Sequence, residues 1–129
     1  MLITFNAVTP QDDHAARALD CALELEQVCR ERTFGDGVRL LTRCGVNTGA
    51  IVVGAVGTAE RLTFTVHGDN VNIAARLEQL NKQYGTYVMC TEETAAACGD
   101  GYDCAFQGEI PVKGRSQPVK VYSVAPASD

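Results

Sequence analysis

The sequence predicts an α+β fold, a sandwich in which helices pack on one face of a mainly antiparallel sheet. Strand-like and helix-like segments alternate along the chain, without a linker, repeat or low-complexity tract between them. Two substantial segments carry apolar residues at helical spacing, and most strand-like segments are joined by hairpin-type connections. The chain has 129 residues, of which 46% are hydrophobic and 21% charged. This is enough for one core, so we interpret residues 1–129 as one domain.

The first predicted elements are the end of a strand and a long helix. Leu2–Phe5 are typical of a strand end, and the segment Pro10–Asp13 marks a helix start with its acidic residues. Apolar residues then recur at intervals of three and four, which predicts an amphipathic helix from about Asp13 to about Arg32. The triplet Gly35-Asp36-Gly37 that follows is typical of a turn, with Asp36 as a turn residue.

The middle of the chain predicts a β-hairpin. The runs Val38–Val46 and Ile51–Val56 are rich in strand-forming residues. They flank Asn47-Thr48-Gly49, a triplet with turn-forming residues, and we therefore expect the two runs to pair. A further strand, at about Arg61–Val66, leads into Gly68-Asp69.

A second long helix is predicted from Asn70 to about Tyr84. Asp69 is a candidate N-cap for this helix, and Gly85 suits a left-handed C-cap. The remaining predicted elements are a strand at Thr86–Cys90, a short helix at Glu92–Cys98, and two strands near Ala105–Val112 and Pro118–Val124.

Composition argues against several classes of protein. The formal net charge is -5 and basic residues are scattered, so we expect no nucleic-acid partner. The six cysteines form no C-x-x-C pair and have no histidine nearby in sequence, which favours reduced thiols in a cytosolic core over a zinc site. No apolar run reaches the roughly 18 residues of a membrane helix. We therefore expect no membrane span within this segment and a cytoplasmic location, alone or as the cytosolic part of a longer membrane or sensor protein.

The polar side of the second helix carries the residues of greatest chemical interest. Asn72 and Arg76 lie four residues apart, so their side chains share one side of the helix, and small alanines between them allow another surface to approach. The guanidinium of an arginine is a planar, permanently charged fork that matches phosphate oxygens. The alternative interpretation is that Arg76 pairs with a surface carboxylate such as Glu78 or Glu60.

Three segments of the chain resemble successive blocks of the class III adenylate/guanylate cyclase catalytic domain, in the correct order. These segments are Cys44–Gly57, Phe64–Glu78 and Val112–Tyr122. Phe5-Asn6-Ala7 and Asp13-His14-Ala15 also resemble a strand and a helix start found in bacterial members. The resemblance covers nearly the whole chain but begins partway into the family's domain. It implies a ferredoxin-like sandwich that lacks the family's first strand and helices.

The resemblance implies conversion of ATP, or GTP, to the 3′,5′-cyclic nucleotide and pyrophosphate. In this family the ribose 3′-hydroxyl attacks the α-phosphate, and two Mg²⁺ or Mn²⁺ ions held by two aspartates activate the hydroxyl and bind the phosphates. Members act as dimers whose sites straddle the interface. Asn72 matches the family residue that orients the ribose, and Arg76 matches the residue that contacts the α-phosphate.

Three further residues match substrate-binding positions of the family. Thr65 stands where the family reads the purine and where many adenylate cyclases have aspartate, so the choice between ATP and GTP stays open. Lys113 and Arg115 lie in the loop where the family places a basic residue on the polyphosphate. Either of the two can take that role, and the alternative is that this basic turn is ordinary surface.

The chain also departs from the family pattern. The family's two metal aspartates and a purine-reading lysine correspond to positions that precede Met1, so we expect no metal ligands in this segment. Asp69 is interpreted as a helix cap. We therefore expect the isolated chain to be inactive, although the intact domain is an enzyme. The alternative is a non-catalytic dimerisation or regulatory module that donates Asn72 and Arg76 to a partner cyclase domain, whereas a diguanylate cyclase is disfavoured because no G-G-[DE]-E-F-like stretch is present.

Overall fold

The computed structural model describes residues 2–6, 10–33, 35–38, 41–58, 61–67 and 69–126, and for residues 52–58 and 61–67 it describes the backbone alone. These ranges contain three helices and six strands. In chain order they are α1 (His14–Glu31), β1 (Cys44–Val46), β2 (Val52–Thr58), β3 (Arg61–His67), α2 (Asp69–Tyr84), β4 (Val88–Thr91), α3 (Glu92–Ala97), β5 (Tyr102–Ile110) and β6 (Val119–Pro126).

The strands form a four-stranded mixed sheet and a separate two-stranded ribbon. The sheet has the order β1-β4-β6-β5, in which β1 is parallel to β4 and the other two pairs are antiparallel. The ribbon consists of β2 and β3. The predicted α+β class with a mainly antiparallel sheet is therefore confirmed.

The helices cover both faces of the sheet, whereas the sequence predicted one. Side chains of α1 and α3 pack with Val88, Cys90 and Val124 on one face. Ile73 and Leu77 of α2 pack on the other face, against a second cluster formed by Met89, Ile110, Val119 and Val121. The physical reason is that β4 is buried along its whole length, so its alternating side chains need an apolar layer on each side.

The predicted hairpin between Val38–Val46 and Ile51–Val56 is wrong. Within the described residues, only Cys44–Val46 of the first run form a strand of the sheet, and this strand pairs with β4. The second run pairs instead with the next strand, in a register from Val52 opposite His67 to Thr58 opposite Arg61. The supposed turn does not reverse the chain between paired strands, because Asn47 hydrogen-bonds to the start of α2 and to β4.

The predicted strand end at Leu2–Phe5 is also absent, since described residues 2–6 lie outside helices and strands. Strand geometry requires a hydrogen-bonded neighbour, and in the described part of the chain none lies beside this segment. Its apolar side chains are consequently open to solvent, with 52% of Leu2 and 45% of Ile3 exposed.

The other predicted elements agree with the structure to within a few residues. Helix α2 begins at Asp69, which is its first helical residue rather than its N-cap. Gly85 has φ +69°, and the Thr86 N–H donates to the Asn81 carbonyl at 2.9 Å, which confirms the left-handed end of the helix. Gly35 and Gly37 adopt positive φ in the predicted turn.

The six cysteines are all free. None of the helices in the described ranges combines the length and apolar character that crossing a membrane requires.

Candidate functional site

Helix α2 presents its polar side to solvent because its apolar side is fixed on the sheet. Ile73 and Leu77 are buried, with 3% and 0% of their surface exposed, whereas Asn72 and Arg76 are exposed. Ala75 is also exposed, beside them. The asparagine and the arginine thus lie on one open side of α2, with a small side chain between them.

Arg76 is oriented by its own chain. Its Nη1 donates a hydrogen bond to the backbone carbonyl of Pro111 at 2.6 Å, in the connection between β5 and β6. Glu78 forms no ion pair with it, and Glu60 lies outside the described residues. This hydrogen bond uses one of the five N–H donors of the guanidinium, so the other donors are available to an anion.

The segment Pro111–Arg115, which we call the basic turn, lies against α2. The Arg115 N–H donates to the Val112 carbonyl at 3.1 Å, and Gly114 adopts the φ of +87° that a side chain would disfavour. Lys113 is exposed next to this glycine. Arg115 extends in turn to the start of α2, where its Nη2 donates to Asn70 Oδ1 at 3.2 Å.

The basic turn is therefore attached to α2 at both ends, by Arg76 to Pro111 and by Arg115 to Asn70. This attachment collects three positive charges, those of Arg76, Lys113 and Arg115, on one surface. The ion pairs seen among the described residues, Arg17 with Asp13 and Arg30 with Glu26, involve none of the three. The surface is suited to a phosphate-bearing anion.

Thr65 belongs to β3, where it pairs with Gly54 of β2. Only the backbone of Thr65 is described, so the predicted role of this residue in reading the purine stays a prediction.

Sequence reasoning missed the polar network that supports the start of α2. Asn47 Nδ2 donates to the backbone oxygen and to the Oδ1 of Asn70, both at 3.0 Å, and Asn70 Nδ2 donates to the Ala50 carbonyl at 2.8 Å. Asn47 Oδ1 accepts from the hydroxyl of Thr91, which is fully buried, at 2.7 Å. A signal was present, since Asn47 directly follows a predicted strand and Asn70 directly follows the predicted cap.

In the described part of the chain, the residues of the candidate site lie on an exposed surface. A groove of about 1150 Å³ lies beside it, between α1, β1 and α2, and is lined by Asn70, Ala74 and Ala75 among others. Asn72, Arg76 and the residues of the basic turn do not line this groove. A substrate held by these residues would be enclosed only if a second surface covered them.

The described residues contain no cluster of three or more histidine, cysteine, aspartate or glutamate side chains that could hold a metal ion. Asp36 is exposed in its turn, and Asp69 is exposed at the start of α2. The donor set present in these ranges does not fit the family's two-metal centre, so no chemical step is assigned here to a metal held by this chain.

Three ionisable groups whose pKa is raised, Cys44, Cys90 and Tyr102, lie near α1. Burial raises the pKa of the Cys44 thiol to about 11, and it also raises the pKa of Cys90. Burial and a hydrogen bond to Asp20 raise the pKa of the Tyr102 hydroxyl. These groups are protonated at neutral pH, as packing residues are, and do not act as activated nucleophiles.

Comparison with known proteins yields a single family. The family model described as the adenylate and guanylate cyclase catalytic domain matches residues 1–126. The chain is 40% identical over 126 residues to adenylate cyclase 1 of Rhizobium meliloti, covering 93% of this chain and 19% of that protein. It is 33% identical over 126 residues to the terminal-differentiation-specific adenylate cyclase of Dictyostelium discoideum, covering 92% of this chain and 6% of that protein.

Solved structures give the same result. The guanylyl cyclase Cya2 superposes with a TM-score of 0.79 at 32% identity, over 97% of this chain and 64% of that one. The adenylyl cyclase CyaB from P. aeruginosa superposes with a TM-score of 0.69 at 27% identity, over 95% of this chain and 65% of that one. The chain thus spans less than two thirds of these solved domains and less than a fifth of the two relatives.

Proposed function

This chain belongs to the adenylate and guanylate cyclase catalytic domain family, and on that premise we propose that the polar side of α2 and the basic turn bind a purine nucleoside triphosphate during its cyclisation. In this reaction the ribose 3′-oxygen forms a bond to the α-phosphorus and loses its proton. The bond from the α-phosphorus to the bridging oxygen breaks, and pyrophosphate leaves with that oxygen. The product is a 3′,5′-cyclic nucleotide for intracellular signalling.

The single observation that supports this proposal most is the shared exposed surface of Asn72, Arg76 and the basic turn. The Asn72 amide is suited to hold the ribose, because it both donates and accepts hydrogen bonds. The Arg76 guanidinium is suited to stabilise charge that develops on the α-phosphate oxygens. Lys113 and Arg115 are suited to bind the β- and γ-phosphates. Lys113 offers the compact charge of an ammonium, and Arg115 offers the planar fork of a guanidinium. We propose ATP or GTP as the substrate, with Thr65 among the residues that read the base.

We propose that the site is completed by a second protomer, in a homodimer or in a heterodimer with another cyclase domain. Two features support this arrangement: the residues form an open surface, and the described ranges hold no metal cluster. Mg²⁺ or Mn²⁺ would come with a heterodimer partner that carries the family's aspartates, because a second copy of this chain adds no metal cluster from its described residues. The isolated chain is then inactive, and a cytoplasmic location, where nucleoside triphosphates are available, fits its use.

A non-catalytic role is the second candidate function. In this role the chain is a dimerisation or regulatory module that donates Asn72 and Arg76 to an intact partner. The observation that favours it is the same combination of exposed substrate-binding residues with no metal cluster in the described part of the chain.

A complementation assay tests the proposal. The partner is the catalytic domain of the bacterial relative described above, with its own ribose-orienting asparagine and α-phosphate arginine replaced by alanine. Neither protein alone should form cyclic nucleotide from ATP or GTP with Mn²⁺, whereas the mixture should. Appreciable turnover by this chain alone would contradict the need for a partner, and no turnover in the mixture, despite a dimer in solution, would contradict the proposed roles of Asn72 and Arg76.

The two candidate functions are separated by the gene from which the chain derives. If the reading frame continues upstream into metal-binding strands, the intact product should be active as a homodimer. If it does not, activity should appear only with an intact partner.

A further inference from the structure

We infer that Asn70 is a positioning residue for the triphosphate site: its side-chain amide fixes the Arg115 guanidinium beside α2, although Asn70 itself does not touch substrate. This inference rests on the proposed function, because it assigns the triphosphate contact of the basic turn to Arg115 as held by Asn70.

The hydrogen bonds of Asn70 leave its side chain one orientation. Its Oδ1 accepts from Asn47 Nδ2 at 3.0 Å and from Arg115 Nη2 at 3.2 Å, while its Nδ2 donates to the Ala50 carbonyl at 2.8 Å. Rotating the amide by half a turn would place a donor opposite two donors and an acceptor opposite an acceptor. The oxygen is therefore held toward Arg115 by the rest of the network.

Steric packing adds to this constraint. A Cβ placed on Gly49 would lie 2.6 Å from Asn70 Oδ1, which is far closer than real Cβ contacts. The amide of Asn70 therefore lies directly against the backbone at Gly49, and a side chain there would displace the amide from this position.

The network also continues into the core. Asn47, which bonds to both the backbone and the side chain of Asn70, accepts at its Oδ1 from the buried Thr91 hydroxyl at 2.7 Å. The hydroxyl of Thr94, which is also buried, lies 2.8 Å from the hydroxyl of Thr48. The exposed guanidinium of Arg115 is consequently connected through Asn70 and Asn47 to a fully buried side chain, that of Thr91.

This connection matters for anion binding because a free arginine side chain loses rotamer freedom when it is fixed on a ligand. If Asn70 already fixes Arg115, less freedom is lost on binding. The bond to Asn70 uses one N–H of the fork, so several donors remain for phosphate oxygens. A neutral amide achieves this without the negative charge that an aspartate at position 70 would place beside the triphosphate.

The experiment measures binding of inorganic tripolyphosphate to the purified chain by isothermal titration calorimetry at low salt. We expect Arg115→Ala to weaken binding about tenfold, the scale of one charge-assisted hydrogen bond. Asn70→Ala should weaken binding by a similar factor, and the double variant should bind no more weakly than Arg115→Ala alone. Gln83→Ala, at an exposed position of the same helix, is the matched control and should bind like the unmodified chain.

A merely structural role of Asn70 predicts a different pattern. In that case Asn70→Ala would weaken binding equally in the presence and in the absence of Arg115, and this outcome would overturn the inference. As a further comparison, Asn70→Ala should keep its effect in a Lys113→Ala background, because Lys113 does not contact Asn70. If Asn70→Ala fails to fold by circular dichroism, Asn70→Ser, which keeps a polar group at the start of α2, tests the same link in the same double-variant comparison, and it should weaken binding only when Arg115 is present.

The outcomes also separate this inference from the proposed function. If Lys113→Ala weakens tripolyphosphate binding and Arg115→Ala does not, the basic turn keeps its proposed role and the inference about Asn70 is wrong. If the unmodified chain does not bind tripolyphosphate at all, the proposed triphosphate role of the turn fails and the inference fails with it.

Discussion

The guanidinium of Arg76 donates a 2.6 Å hydrogen bond to the backbone carbonyl of Pro111, so the helix that carries the proposed catalytic pair also holds the turn that carries the two other basic residues. The bond is made by an exposed side chain. It orients the arginine along the surface rather than into the core, and the position of the basic turn depends on it at one end.

Replacing Arg76 should remove activity from the complemented dimer without unfolding the chain. Loss of one donor that stabilises transition-state charge typically costs about 10²–10³ in kcat, and we expect Arg76→Ala to fall in this range. Arg76→Lys should recover little of it, because an ammonium cannot contact Pro111 and a phosphate oxygen with one planar fork. The measurement is cyclic nucleotide formed per minute in the mixture.

The stability of both Arg76 variants provides the control. Because the side chain is exposed, the free energy of unfolding should change by less than about 0.5 kcal/mol in urea melts. Near-normal turnover by Arg76→Lys would show that charge alone is needed and would argue against the proposed contact with the α-phosphate.

Gly45 controls how closely α2 lies on the sheet. A Cβ at this position would lie 2.5 Å from the backbone nitrogen of Glu78 and 2.7 Å from the Cβ of Leu77, and would also meet the Ala74 carbonyl. Backbone atoms of a helix cannot yield as a flexible side chain can. We therefore expect Gly45→Ala to lower the free energy of unfolding by about 1–3 kcal/mol, as overpacking does, and to displace Asn72 and Arg76 with the helix.

Gly101→Ala is the matched control for this substitution. A Cβ at Gly101 has no atom within 4 Å, and the residue does not require a positive φ. Its urea midpoint should be unchanged or slightly higher. Equal midpoints for Gly45→Ala and Gly101→Ala would contradict the close approach of α2 to β1.

Asn81 joins the end of α2 to β1 and to Thr86 in the connection that leads to β4. Its side chain is fully buried, its Nδ2 donates to the Cys44 carbonyl at 2.9 Å, and its Oδ1 accepts from the Thr86 hydroxyl at 2.8 Å. Asn81→Ala leaves these partners without the amide, so we expect a loss of about 1–3 kcal/mol in the free energy of unfolding. Gln83→Ala, exposed on the same helix, should be neutral in the same urea titration, and a neutral Asn81→Ala would argue against this link.

The sequence was sufficient for elements whose signals are local. The apolar periodicity of α1 and α2 predicted both helices, and the same periodicity placed Asn72 and Arg76 on the exposed side of α2. It was insufficient where two partners compete for one strand. Residues 38–46 and 51–56 have a hairpin pattern, but the first run pairs with β4, whose burial on both faces a local pattern does not contain, and the second run pairs with β3.

The site shows the same division. The types and spacing of Asn72 and Arg76 were informative on their own, whereas the bond from Arg115 to Asn70 joins residues 45 positions apart and the bond from Thr91 to Asn47 joins residues 44 apart. No periodicity extends over such separations, so the support of the basic turn required coordinates.

The stability of the chain should fall as the pH rises through the titration range of its buried thiols. Burial, followed by the charges of Cys21 and Cys29, raises the pKa of Cys44 from 9.0 to about 11. In the unfolded chain this thiol loses its proton near pH 9, whereas in the folded chain it keeps the proton until about pH 11. Between these values the unfolded state binds fewer protons, so the free energy of unfolding decreases with rising pH, and the stabilisation is fully present below pH 9.

Urea melts of the chain at several pH values between 8 and 11 measure this slope, in the presence of a reductant to keep the thiols free. The comparison is with Cys44→Ala, which removes the titrating group and should show a shallower decline. Other groups, including Cys90 with its raised pKa, contribute to both proteins and cancel in the difference. Identical slopes would mean that Cys44 is accessible to water in the folded chain, which would argue against the packing of β1 between α1 and α2.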